Sequence, residues 1–252
     1  VGATRHRGLP SPYLTLILTL DEPLVMAAHP HPGQAPGSYG QLLGGLHTAP
    51  AMVVHEGAQS GVQIALSPLG ARALLGLPAG ELAGWDFAAE DVLGASAVEA
   101  RERMREAADW PGRFAVLDDW LLRRARENGP PPEIVHAWDL LLRSGGAVPV
   151  AALADEVGWS ARHLSGRFAT EIGIGPKAAA RVVRFDRARR LLAARARCAG
   201  PRGVSLAALA ADCGYFDQAH LDREFRALAG CAPTRWLAEE FRNIQAGAHA
   251  AG

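Results

Sequence analysis

The chain has 252 residues, 49% hydrophobic and 21% charged, which is length enough for two domains that each bury a core. It contains no run of eighteen apolar residues to span a membrane, and Val1 to Pro12 lacks the apolar stretch of a secretory signal, so a cytoplasmic location is expected. Acids and bases balance at 26 each, but residues 1–130 hold ten arginines against fourteen acids, while residues 131–252 hold sixteen bases against twelve acids. An acidic half joined to a basic half suits a regulatory domain attached to a nucleic-acid-binding one.

Val1 to Pro12 reads as a polar arm. Tyr13 to Leu20 alternates Leu14, Leu16, Leu18 and Leu20 with Thr15, Ile17 and Thr19, the period of a strand. Leu24 to Ala27 is expected to pair back on it across the turn Asp21-Glu22-Pro23, and the Pro/Gly-rich stretch His29 to Gly40 to form a loop. Leu42 to His47, Ala51 to Glu56 and Gly61 to Leu66 predict three further strands in a small β-sandwich or half-barrel. Ser67-Pro68 then switches the chain to helix, with a second short helix near Pro78. Longer helices are predicted over Ser96 to Asp109 and Pro111 to Glu127, the latter with an apolar stripe of Phe114, Leu117, Trp120 and Leu121. Residues 1–128 thus read as an α+β domain for sensing or dimerisation.

Residues 129–132 fall in Asn128-Gly-Pro-Pro-Pro132, a stiff linker across which little packing is expected. Beyond it, residues 133–240 are helical throughout, with 241–252 as a tail. Glu133 to Ser144 is an amphipathic helix stopped by Gly145-Gly146. Ala151 to Pro176 follows the pattern of helix, glycine turn and helix, with Ser160 as N-cap and Leu164 and Phe168 on one face. Ala207 to Pro233 repeats it. Gly158-Trp159 matches Gly214-Tyr215, and after one inserted residue Leu164, Phe168, Gly173 and Pro176 match Leu221, Phe225, Gly230 and Pro233. Two copies are too few for a solenoid and suit a paired reading head. Lys177 to Arg197 forms a connecting helix roughly 30 Å long, close to the ~34 Å between adjacent major-groove segments on one face of DNA.

The motifs LADEVGWSARHLSGRF, GPKAAARVVRFDRARRLL and LAADCGYFDQAHLDREFRALAGCAPTRW resemble the DNA-binding domain of AraC/XylS-type transcriptional regulators, over about Glu133 to Ala238. The resemblance implies an all-α domain in which a long helix joins two helix-turn-helix units, double-stranded DNA as the partner, and a β-rich N-terminal domain. Small-molecule effector, RNA polymerase and a second copy of the chain are the further partners expected. No cofactor and no metal is expected. The first recognition helix offers Arg162, His163, Ser165 and Arg167 to DNA. The second offers Gln218, Asp222 and Arg223, which match base-reading positions of the family, and Arg226 for phosphate. One departure is Gly166, where the family often has arginine, so specificity is expected to lean on the second unit.

Two rival readings belong to other classes. The histidines His29, His31, His47 and His55 loosely resemble cupin ligands, which would make the N-terminal domain a metal-dependent enzyme tethered to DNA; the helical units alternatively bind protein as an adaptor. No nucleophile elbow, P-loop or H-E-x-x-H occurs to support an enzyme. The cysteines Cys198, Cys213 and Cys231 have no C-x-x-C spacing, and Cys213 reads as a small core residue.

Overall fold

The computed structural model describes residues 4–55 and 59–240; the expected tail over 241–252 lies outside them, as does Glu56 at the end of one predicted strand. Among the described residues seven strands come first, β1 (Thr4–Gly8), β2 (Leu14–Thr19), β3 (Leu24–Ala28), β4 (Gly37–Tyr39), β5 (Gln41–Gly44), β6 (Ala51–His55) and β7 (Gly61–Leu66), and β8 (Asp86–Ala88) follows the first short helix. They form two four-stranded antiparallel sheets, ordered β1-β6-β3-β4 and β7-β2-β5-β8. Leu24, Met26, Leu42, Ala51 and Val53 are buried together between the sheets. Leu14, Leu16 and Leu18 of β2 bury on the opposite face, as the alternation predicts.

Four expectations are corrected. The opening arm contains a strand, since β1 pairs with β6 from Thr4↔His55 to Gly8↔Ala51. β3 does not pair back on β2: the turn at 21–23 carries the chain into the other sheet, where β3 bonds β4 and β6. The loop His29 to Gly40 closes with the short strand β4. Phe114 leaves its predicted stripe and is 47% exposed, while Leu117 and Trp120 bury.

Helices α1 (Ala71–Leu75), α2 (Ala89–Leu93), α3 (Ala95–Glu106) and α4 (Trp110–Arg124) cover the leucine face of β2. Asp109 caps α4, accepting the Gly112 N–H at 2.8 Å. Beyond the linker come α5 (Pro132–Arg143), α6 (Val150–Glu156), α7 (Ala161–Ile172), α8 (Pro176–Ala199), α9 (Leu206–Asp212), α10 (Gln218–Ala229) and α11 (233–240). The linker does not isolate the two parts. One apolar core runs from β2 through α3 and α4 into Trp138, Leu164, Phe168 and Ile172 of α5 and α7. A second core joins α8, α9, α10, Trp236 and Leu237.

The 3-10 turn Ala79–Leu82 is the reason for the continuity. Ala79 and Leu82 are buried, and a Cβ added at Gly80 would lie 2.4 Å from the Thr170 carbonyl oxygen of α7. Only glycine lets the two backbones meet there.

Candidate nucleic-acid interface

The two hairpins are built alike. α6 and α9 each end in a turn glycine with left-handed backbone, Gly158 at φ +70° and Gly214 at φ +73°. Each second helix starts from a side-chain cap: Ser160 accepts the His163 N–H at 3.2 Å, and Asp217 accepts the His220 N–H at 2.6 Å. Such a cap is worth about 1 kcal/mol. Buried Leu164 and Phe168 in α7, and Leu221 and Phe225 in α10, fix which face turns outward. Each helix then ends on a left-handed glycine, Gly173 or Gly230.

The outward faces carry the residues singled out from sequence. On α7, Arg162 and His163 are exposed. The Ser165 hydroxyl donates to the Ala161 carbonyl at 2.7 Å. Arg167 is exposed but reaches Glu171 at 3.5 Å. Nothing lies within 4 Å of a Cβ built at Gly166. On α10, Gln218, Arg223 and Arg226 are exposed. Asp222 is half-buried, and its Oδ1 is fully buried without a hydrogen-bond partner. Among the described residues it forms no ion pair with Arg223.

One exposed residue was not singled out from sequence. Phe216, directly before the cap Asp217, is 93% exposed. It is the residue inserted when the two hairpins are superposed in sequence, and that insertion was the available signal.

α8 sets the spacing. Its 24 residues correspond to about 36 Å of helix, with Val182, Phe185, Ala188 and Leu192 buried along it. Its arginines on the other face brace the scaffold. Arg181 pairs with Glu224 of α10 at 3.0 Å, and Arg184 donates to the Gly146 carbonyl at 2.9 Å while lying over the Tyr215 ring.

Two ion pairs tie the N-terminal half to this surface. Arg72 of α1 donates twice to Glu171 of α7, at 2.8 and 3.0 Å, and Glu171 is 1% exposed. Arg7 of β1 donates to Glu239 of α11 at 2.9 Å, and this bond holds the Glu239 carboxyl below its ordinary range. One clasp thus joins α7 to α1, and the other joins α11 to strand β1 of the sandwich.

Beside Arg7 lies a cavity of about 400 Å³. Leu24, Met26, Leu42 and Val53 wall it inside the sandwich, and Arg189 and Arg190 of α8 stand at its α8 side. The buried Arg189 Nε has no partner, although the guanidinium also bonds Asp186.

The N-terminal histidines are engaged in local structure. His29 Nδ1 lies 2.7 Å from Asp86 and its Nε2 3.2 Å from the Tyr39 hydroxyl. His31 stacks on Trp85, and His47 Nδ1 lies 2.6 Å from the Ala49 carbonyl. Burial lowers the pKa of His6 and of His47. Among the described residues, no three His, Cys, Asp or Glu side chains gather as a metal site. Cys213 and Cys231 are buried and their thiols pushed up by burial, while Cys198 is exposed. No helix among the described residues is long and apolar enough to cross a membrane.

Residues 153–239 match the family described as a helix-turn-helix domain. No curated protein matches the chain. Among solved structures, an unliganded variant of ToxT from Vibrio cholerae aligns over 94% of this chain and 93% of its own, at 8% identity and a TM-score of 0.54. A second ToxT structure aligns over 94% and 98%, at 9% identity and a TM-score of 0.53. A third, bound to (E)-4-(8-methylnaphthalen-1-yl)but-3-enoic acid, aligns over 94% and 98%, at 10% identity and a TM-score of 0.52. At such identities the likeness is one of fold.

Proposed function

We propose that this chain, whose residues 153–239 form an AraC-type helix-turn-helix DNA-binding domain, is a transcription regulator that reads duplex DNA with both α7 and α10 and is modulated through its N-terminal domain. The observation that carries the reading is the duplication. Two hairpins each have a left-handed turn glycine, a side-chain cap (Ser160 or Asp217) and a buried Leu/Phe pair, and the connecting helix α8, about 36 Å long, is compatible with a spacing of about one DNA turn.

The division of labour follows the linker. Residues 1–128 sense or dimerise, 129–132 connect, and 133–240 bind DNA in the cytoplasm. Gln218 and Arg223 meet base edges, Arg223 by the paired bonds that arginine makes to guanine O6 and N7. Asp222, which among the described residues makes no ion pair with Arg223, takes a cytosine amino group. Arg162, Arg167 and Arg226 anchor phosphates, and His163 and Ser165 line the first groove. Release of counterions by these arginines makes affinity fall with salt.

The effector side rests on the cavity. A ToxT structure holds an aromatic-tailed carboxylic acid. Here a chamber walled by Leu24, Met26, Leu42 and Val53, with Arg189 and Arg190 among the polar side chains of its lining, suits a small amphipathic acid. A ligand seated there touches both the sandwich and α8, so it biases how the hairpins are held. Nothing in this mechanism asks the chain to catalyse a reaction.

The test is equilibrium binding of the full chain to duplexes selected from a random pool, at several salt concentrations. A steep linear fall of log affinity with log salt, and a preference for the selected duplex of about a thousandfold or more over random sequence, are expected. Salt-insensitive or sequence-blind binding contradicts the reading and favours the adaptor.

A further inference from the structure

The geometry points to Phe216 as a sequence-determining residue that packs on the C5-methyl of a thymine in the major groove. The inference rests on the reading that α10 enters that groove, and it adds a contact that the helix positions alone do not predict.

Phe216 is the most exposed large apolar side chain among the described residues, at 93%. A lone exposed apolar residue is ordinary on a protein surface. Its placement is not. It stands immediately before the α10 cap Asp217, one residue from Gln218, at the end of the helix that leads into the groove.

Its outward direction is enforced. The Phe216 N–H donates to His220 Nδ1 at 3.3 Å, and Asp217 accepts the His220 N–H at 2.6 Å. The His220 ring stands edge-on to Tyr215 at 5.2 Å, and Tyr215 is buried. The inner position of the turn is therefore filled by Tyr215, so the next side chain has nowhere to go but out.

The first hairpin supplies the comparison. There Trp159 meets His163 edge-on at 4.6 Å, the counterpart of Tyr215 and His220. Ser160 follows Trp159 directly, whereas Phe216 intervenes between Tyr215 and Asp217. The insertion leaves the aromatic–histidine packing and the cap intact and adds one apolar side chain at the tip. A phenyl ring cannot bond phosphate. The apolar feature of a major-groove edge is the thymine methyl. Arg223 and Arg226 on the same helix supply charge and base contacts, so the ring adds a chemistry that they lack.

The experiment uses the full chain and a duplex selected from a random pool by the wild-type chain. Each thymine in the half-site read by α10 is replaced singly by deoxyuridine, which removes only the methyl group. Binding is measured for the wild type, Phe216→Ala and Phe216→Leu, with thermal unfolding as the folding control. For the wild type one replacement should weaken binding roughly fourfold, the worth of one buried methyl-sized group. For Phe216→Ala that same replacement should be neutral, and Phe216→Leu should keep part of the effect. Equal uridine penalties in wild type and Phe216→Ala overturn the assignment. So does wild-type affinity of Phe216→Ala for the selected duplex. A loss on Phe216→Ala that ignores the methyls but abolishes DNA bending identifies a wedge between base steps and also overturns it. A wild-type chain that selects no sequence sinks the recognition reading itself, a result distinct from the other three.

Discussion

Gly166 and Arg223 occupy the same place in the two recognition helices, 57 residues apart in a chain whose matching leucines and phenylalanines share that offset. One supplies no side chain; the other is an exposed guanidinium. Arg223→Ala should therefore lose about 1–3 kcal/mol of discrimination at one base position. Equal losses on selected and random duplex would move Arg223 to the phosphate class. Gly166 sits in open space, so nothing steric demands glycine. Gly166→Arg should bind duplex more tightly and, by removing a mid-helix glycine, gain up to about 1 kcal/mol of stability. Unchanged affinity at low salt would show that α7 does not approach DNA at this position. Among the thiols, Cys198 should react with a maleimide in the native chain, while Cys213 and Cys231 wait for unfolding.

The elements legible from sequence are those whose signals are local. Within each hairpin the turn glycine, Gly158 or Gly214, and the apolar pair four residues apart lie within about a dozen residues, as does the cap Ser160 in the first; the cap Asp217 of the second was not read from sequence. β1 was not legible, because its partner β6 lies more than forty residues on, and its own sequence Thr-Arg-His-Arg-Gly carries no apolar alternation. β3 was assigned to the wrong sheet because a short turn ordinarily makes a hairpin, and nothing in Asp21-Glu22-Pro23 announces a crossing. The outward residues of α7 followed from helical spacing and those of α10 from the family resemblance, although Asp222 is half-buried. The clasps Arg72–Glu171 and Arg7–Glu239 did not, since they join residues far apart in sequence. The contact of the turn Ala79–Leu82 with α7 belongs to the same class and makes its own prediction. Gly80→Ala forces a Cβ against a backbone oxygen and should lower the melting temperature by several degrees, whereas Gly129→Ala, with nothing nearby, should not. Equal melting temperatures would mean the two parts separate freely. Removing Arg72 leaves the buried Glu171 carboxylate with only Arg167 at 3.5 Å, and Arg72→Met should destabilise by about 1–3 kcal/mol.

Across the whole chain, α1 and β1 are each tied to the helical domain, and the stability of the fold should depend on pH. Burial depresses the pKa of His6 and His47 below the ordinary 6.5, so the unfolded chain binds protons first as pH falls. Their contribution is complete above about pH 6.5 and is lost as pH falls through the lower folded values. Glu239 is depressed by its bond to Arg7, so that clasp holds above the ordinary carboxyl value of 4.5 and weakens further down. The melting temperature should therefore drop between pH 7.5 and 5.5, and a His6→Gln/His47→Gln variant should flatten that step. A wild-type step that survives both substitutions would assign it to other groups. The central claim is that two similar hairpins, fixed by one helix, divide the work of recognition unequally. Its most direct test is the base-by-base specificity profile of the full chain, from binding to every single substitution of a selected duplex, for wild type, Arg223→Ala and Arg162→Ala/Arg167→Ala. Arg223→Ala should flatten one position in the second half-site, while the double variant should weaken all sequences alike and lower the salt slope by about one unit per lost contact. A double-variant profile that collapses only in the first half-site would show that α7 reads bases with Arg162 or Arg167, and would contradict the central claim.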